Sequence, residues 1–224
     1  MYFPEEGGVS IYAYAPYNSA WTGQLNSNNE FTVPADQSTD EGYLAADLIL
    51  GTPSTGNPVA STNDAIQLNF KHKLTKLNLD FKLGESGVDL KGATVSVTNV
   101  LGTTTVNVGE STTGNAQGNP TDIIAAKFAA DATEFSASAI FVPQAVLGQT
   151  DFVLVSTADG KQYKAALNKD VTFAEGKKYT YTVQFNGGGD EPVTIELKLG
   201  SVLDNWDEGN EDIGGGTEET VLTA

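Results

Sequence analysis

Lys76-Leu77-Asn78-Leu79-Asp80-Phe81-Lys82-Leu83 decides the fold. Leu77, Leu79, Phe81 and Leu83 fall on one side of an extended chain, and Asn78, Asp80 and Lys82 on the other. A period of two places successive side chains on opposite sheet faces, one buried and one wet. Working outward, the pattern recurs. Val95 and Val97 alternate with Thr94, Ser96 and Thr98; Val106 and Val108 continue it; Phe135, Ala137, Ala139 and Phe141 repeat it. Pro143 follows, and a residue that cannot donate to a ladder should end that strand. Tyr179, Tyr181, Val183 and Phe185 make the longest aromatic stripe, and Val193, Ile195, Leu197 and Leu199 close the series. Near the start, Val9, Ile11 and Ala13 alternate with Ser10, Tyr12 and Tyr14. The chain reads as all-β, with short strands and polar turns that suit antiparallel sandwiches.

Turn residues agree. Asp159-Gly160, between Phe152–Thr157 and Lys161–Leu167, supplies the positive φ angles of a tight hairpin. Gly84–Gly87, Gly109–Gly118 and Gly51–Pro58 read as loops, and Asn186–Gly189 as a flexible linker between strands. Ile123–Ala130 is compatible with a helical turn or with a strand. The Gly/Pro/Ser/Thr stretch from Gly51 to Asn63 separates residues 1–64, a partial N-terminal β-sandwich domain, from residues 65–206, a complete C-terminal one. A few strands alone are marginal, so the first unit should need a partner. Residues 207–224 read as an acidic, Gly-rich tail with little to bury, expected to be mobile.

Composition excludes several functions. The 224 residues carry a net charge of −17, no cysteine and one histidine, and all 12 basic residues are lysine. A field of that sign repels nucleic acid. Without cysteine there is no disulfide framework, thiolate zinc site, thiol nucleophile or iron–sulfur cluster. No apolar run reaches the ~18 residues of a membrane span, and Met1-Tyr2-Phe3-Pro4 does not open a signal peptide.

Candidate chemistry is thin. His72 would need an orienting carboxylate and a nucleophile to act as a base; it lies between Lys71 and Lys73 on a predicted strand, and the chain has no Gly-x-Ser-x-Gly elbow. A structural histidine at a domain junction is the expectation. Asp36, Asp40, Glu41, Asp47 and Asp122 fall in predicted loops, with no spacing that forces the carboxylate pair of a glycosidase. Trp21 and Trp206 are the only tryptophans for stacking on sugars. Asp204–Asp212 fails as an EF-hand, because Trp206 stands at position 3 and Gly215 at position 12. No metal, cofactor or catalytic residue is expected. The remaining signal concerns edges: an exposed strand is a template for another chain. Val193, Ile195, Leu197 and Leu199, and Val221 and Leu222 in the tail, are the candidate strand-donor residues.

Four segments resemble the fimbrillin family of pilus subunits and adhesins of Gram-negative anaerobes of gut and mouth. They are Tyr2-Phe3-Pro4 with Val9–Tyr17; Asp47-Leu48-Ile49-Leu50; Leu68–Leu77 around Phe70 and His72; and Ile140–Gln144 with Phe173-x-x-Gly176-Lys-Lys-Tyr179-x-Tyr181 and Trp206. Their order holds over most of the chain. The resemblance implies two tandem transthyretin-like β-sandwiches, export as a lipoprotein precursor to the outer membrane, and assembly with other fimbrial subunits by strand donation. The match starts part-way into the family's first domain, which implies that signal peptide, lipobox cysteine and first strands are absent from this chain. The expected role is a non-enzymatic fimbrial subunit or pilus-associated adhesin at the cell surface, with host or bacterial surface ligands as possible partners. A surface glycan-binding lipoprotein is the alternative, and a glycosidase the third class.

Overall fold

A computed structural model describes residues 7–130, 135–204 and 206. Strands β1 (Gly8–Val9) and β2 (Ala13–Ala15) precede a 3-10 turn at Ser19–Trp21 and β3 (Asn29–Thr32). Helix α1 (Asp40–Ala46) leads to β4 (Ile49–Pro53), β5 (Val59–Ala60) and β6 (Leu68–His72). Next come β7 (Thr75–Lys82), β8 (Thr94–Asn107), β9 (Thr112–Thr113), β10 (Gln117–Ile124) and β11 (Ala126–Ala130). The described chain ends with β12 (Phe135–Phe141), β13 (Gln144–Val146), β14 (Asp151–Ser156), β15 (Gln162–Ala166), β16 (Val171–Phe173), β17 (Lys178–Gly188) and β18 (Glu191–Leu203). The fold is all-β.

Two sheets carry the architecture. One runs β11-β12-β7-β17-β18, antiparallel except where β7 and β17 lie parallel. The other runs β10-β8-β14-β15, with β3 and β9 also paired to β8. Their inner faces meet: Phe141 on β12 touches Phe152 on β14 with ring centroids 6.2 Å apart, and Tyr163 on β15 meets Phe185 on β17 at 5.3 Å. The alternation seen in the sequence sets which side chains lie there. Leu77 and Leu79, and Val95 and Val97 across the core, are fully buried; each such side chain contributes roughly 1.5–3 kcal/mol by leaving water.

Smaller sheets complete the chain. β2-β4-β6 forms a three-stranded sheet, and β1 pairs β5. Residue 64 lies between β5 and β6, and hydrogen-bonded pairing crosses it: β6 pairs β4, and β3 pairs the second half of β8 from Asn29↔Val106 to Thr32↔Thr103. Trp21, Phe31, Val33, Leu48 and Leu50 belong to the same buried cluster as Leu77 and Val97. Two- and three-stranded sheets bury too little alone, so the early segments finish their cores on later strands.

Three side-chain amides stand in for missing strand partners. Gln37, with 0% of its surface exposed, accepts from Ile140 N–H at 2.8 Å and donates to Ile140 C=O at 2.7 Å. Gln144 does the same to Leu101 at 2.9 and 3.0 Å, and Asn57 to Ile11 at 2.9 Å on both bonds. Each pairs a peptide N–H and C=O together, as a neighbouring strand would.

Several local expectations change. Asn186–Gly189 is not a linker: β17 continues to Gly188 and turns directly into β18. Gly188 has φ +120°, and a Cβ there would lie 2.6 Å from the Glu85 carbonyl, so glycine is required. Gly51–Pro53, expected in a loop, completes β4, and residues 123–130 lie in β10 and β11 apart from Ala125 between them. Asp40 and Glu41, expected in a loop, open α1. Thr39 caps that helix by accepting from Gly42 N–H at 3.1 Å, and the two carboxylates suit the positive end of its dipole.

Candidate functional site

Among the open sheet edges of the described residues, those at β18 and β6, together with one polar cluster, are the features to which function can attach. Among the described residues, β18 is the last strand of its sheet and pairs only with β17, from Lys178↔Leu203 to Gly188↔Glu191. Along it, Val193 and Ile195 are half-buried, Leu197 is buried, and Leu199 is 49% exposed. Val202 and Leu203 are also exposed. β6 is the second edge. It pairs β4 on one side, and Phe70 on it is 47% exposed with its ring lying over Gly51. The other proposed donor residues, Val221 and Leu222, lie outside the described residues.

The polar cluster gathers three of the quoted segments. His72, the last residue of β6, shares a 2.7 Å hydrogen bond between Nδ1 and Asp47 Oδ1, at the C-terminal end of α1. The indole of Trp206 stacks on the imidazole, with centroids 4.2 Å apart and planes 18° from parallel. Lys76 lies over the Trp206 ring at 5.7 Å and the Tyr43 ring at 5.9 Å. Tyr43 donates to or accepts from Ser138 Oγ at 2.9 Å. Its phenol is pushed up to about 12, by burial first and by the Asp47 charge, against the opposing pull of the Ser138 bond. The arrangement fastens α1, β6, β7 and the chain after β18 to one another. Beside it, Lys73 pairs with Glu175, which also accepts from Thr113 Oγ1 at 2.8 Å.

The later motif has a similar structural logic. Gly176, at φ +68°, donates its N–H to Leu74 C=O at 2.9 Å. Tyr179 Oη accepts from Ala174 N–H and donates to Thr172 C=O, both at 3.1 Å, while its ring meets Phe173 at 4.8 Å. These residues close the β16–β17 turn.

Of the carboxylates weighed for hydrolysis, only Asp47 meets His72. Asp36 is occupied by Ser38 N–H and Oγ, which hold its carboxyl below the usual range. Asp122 accepts from Asn99 N–H at 3.3 Å. Among the described residues, no three His, Asp or Glu side chains gather as metal ligands. Neither tryptophan offers a face to a sugar: Trp21 is 2% exposed, between Tyr14 and Phe31, and Trp206 is 5% exposed. Gln37, Gln144 and Asn57 were missed by sequence reasoning, although Gln144 directly follows Pro143 and Asn57 lies in the Gly51–Pro58 loop segment.

Buried polar groups that tie strands together, with open sheet edges outside, describe an all-β scaffold. The chain belongs to the fimbrillin-like family, whose profile matches residues 1–206. A proposed cell adhesion protein of Bacteroides ovatus has a similar fold: TM-score 0.68, 22% identity, 93% of this chain and 72% of that one. Another, from Bacteroides uniformis, gives TM-score 0.59 and 23% identity over 89% and 75%. The C-terminally truncated tip fimbrial protein Mfa3 of Porphyromonas gingivalis overlaps at TM-score 0.48 and 8% identity, over 84% and 78%. No curated protein matches. Among the described residues, no helix is long and apolar enough to cross a membrane.

Proposed function

We propose that the protein is a non-enzymatic fimbrial subunit or pilus-associated adhesin, exported to the cell surface and joined to other fimbrial subunits by β-strand addition. Family membership supports the fimbrial, adhesion-type role. The observation that carries strand addition is the three-stranded sheet β2-β4-β6, whose outer strand β6 is paired on one side only among the described residues. Its unsatisfied backbone groups are a template for a further strand.

The donor is Thr220–Ala224, with Val221 and Leu222 as its apolar residues. Donation by Val193–Leu199 would first open the β17–β18 ladder along its length and expose Leu197. That cost favours the tail and leaves β18 in its own sheet.

The test compares the full chain with residues 1–206. The full chain should form concentration-dependent polymers by electron microscopy and sedimentation, and 1–206 should remain a folded monomer. A peptide of residues 216–224 should then bind 1–206 and slow hydrogen exchange along β6. Polymerisation of 1–206 as readily as the full chain, or peptide protection confined to other strands, defeats the reading.

A further inference from the structure

Between the two sheets' edges, at the end where β17 turns into β18, lies a cleft of about 270 Å³. One wall is the connection between β7 and β8, with Ser86, Asp89 and Lys91; the other is the β14–β15 hairpin turn, with Asp159 and Lys161. Tyr163 on β15 and Val193 on β18 also line it. Both walls are preformed. Leu90 buries itself in the core and accepts from Ala93 N–H at 3.0 Å, and Asp89 accepts from Lys91 N–H at 2.8 Å. Across the cleft, Thr157 N–H bonds to Lys161 C=O at 2.9 Å and Gly160 N–H to Thr157 C=O at 3.0 Å. Phe185 meets the Tyr163 ring edge to face.

We propose that this cleft binds a single uncharged sugar ring. The reasoning is one of chemical balance. Asp159 is already engaged, accepting from Thr157 Oγ1 and paired with Lys161 Nζ at 3.0 Å. That leaves the second oxygen of Asp89, Lys91 Nζ and the Tyr163 hydroxyl, none of which has a hydrogen-bond partner among the described residues. An acceptor, a donor and a two-way hydroxyl suit a ligand whose own groups both donate and accept. The two aspartates and two lysines cancel, so the cleft favours neither anion nor cation in a chain of net charge −17. The Tyr163 ring and Val193 add apolar surface for the C–H face of a pyranose. The volume lies below the ~300–1,000 Å³ of drug-sized pockets and suits one ring. This inference does not rest on strand addition, because none of the residues named lies on β6 or in the tail.

The test titrates the full chain, labelled for backbone NMR, with glucose, galactose, mannose and N-acetylglucosamine, and with glucosamine and glucuronic acid as charged controls. At least one neutral sugar should move the amides of residues 86–91 and 157–163 with millimolar affinity. Lys91→Ala and Asp89→Asn change exposed side chains and should leave the melting temperature unchanged. Each should weaken binding by about tenfold, the loss of one charge-assisted hydrogen bond. No shift from any neutral sugar at tens of millimolar overturns the proposal. So does binding restricted to the charged sugars, or binding indifferent to both substitutions.

Discussion

Removing the Gln37 side chain should expose how the early segments are tied to the later sheets. Ile140 faces Lys76 across the β7–β12 ladder, and β11 begins only opposite Ser138, so the outer edge of β12 is open to β11 at Ile140. Gln37 closes it, and its Nε2 also reaches Pro34 C=O at 3.3 Å. Gln37→Ala leaves the N–H and C=O of Ile140 buried without partners. Each orphaned group costs about 1–3 kcal/mol, so the pair should cost about 2–6 kcal/mol. That is a large share of the ~5–15 kcal/mol that holds a domain together. Urea unfolding followed by circular dichroism should show the midpoint falling with little change in slope. Hydrogen exchange at the Ile140 amide should accelerate with it. Gln37→Glu sharpens the test. It keeps the acceptor for Ile140 N–H but loses the donor for Ile140 C=O and buries a charge. Burial raises the folded-state pKa of that carboxyl, so the variant should be weakest at neutral pH and regain stability as pH falls through that value. A loss below ~1 kcal/mol for Gln37→Ala, or exchange at Ile140 no faster than in the parent, refutes the role of Gln37 as a surrogate strand.

Two further outcomes follow from the His72 cluster. The Tyr43 phenol is raised from its ordinary ~10 to about 12. Its contribution to stability is therefore full below pH ~10 and lost as pH climbs through the folded-state value, amounting to about 2 kcal/mol after allowance for partial exposure. Tyr43→Phe should lose about 1 kcal/mol at neutral pH with the Ser138 bond, yet fall less steeply than the parent between pH 10 and 12; parallel melting curves over that range count against it. Trp206→Ala should cost about 3 kcal/mol, and His72→Ala should add less in that background than alone, because the rings stack at 4.2 Å. Strict additivity in the double-mutant cycle would deny the coupling.

A period of two, read from Leu77 to Leu83 and repeated at Val95, Tyr179 and Val193, was enough to establish an all-β chain and to assign many inward side chains. The reason is local: in an extended chain neighbouring residues must face opposite ways, whatever the partner. The Asp159-Gly160 turn was legible for the same reason, since positive φ is a property of the residue itself. Helix α1 escaped notice because its seven residues show no apolar stripe, and Leu44 in it is exposed. Its signal was the cap at Thr39 and the acidic first turn. Which strands pair is a different matter. The parallel alignment of β7 and β17, the reach of β8 to β3, and the seating of Gln37 against Ile140 join residues from about 70 to about 100 positions apart. No local preference encodes such partners; they are chosen by which arrangement closes one core and satisfies its buried backbone groups. The same holds for Asp47, His72 and Trp206. Each stood in the sequence as an isolated polar or aromatic residue, and only the tertiary fold made them a cluster.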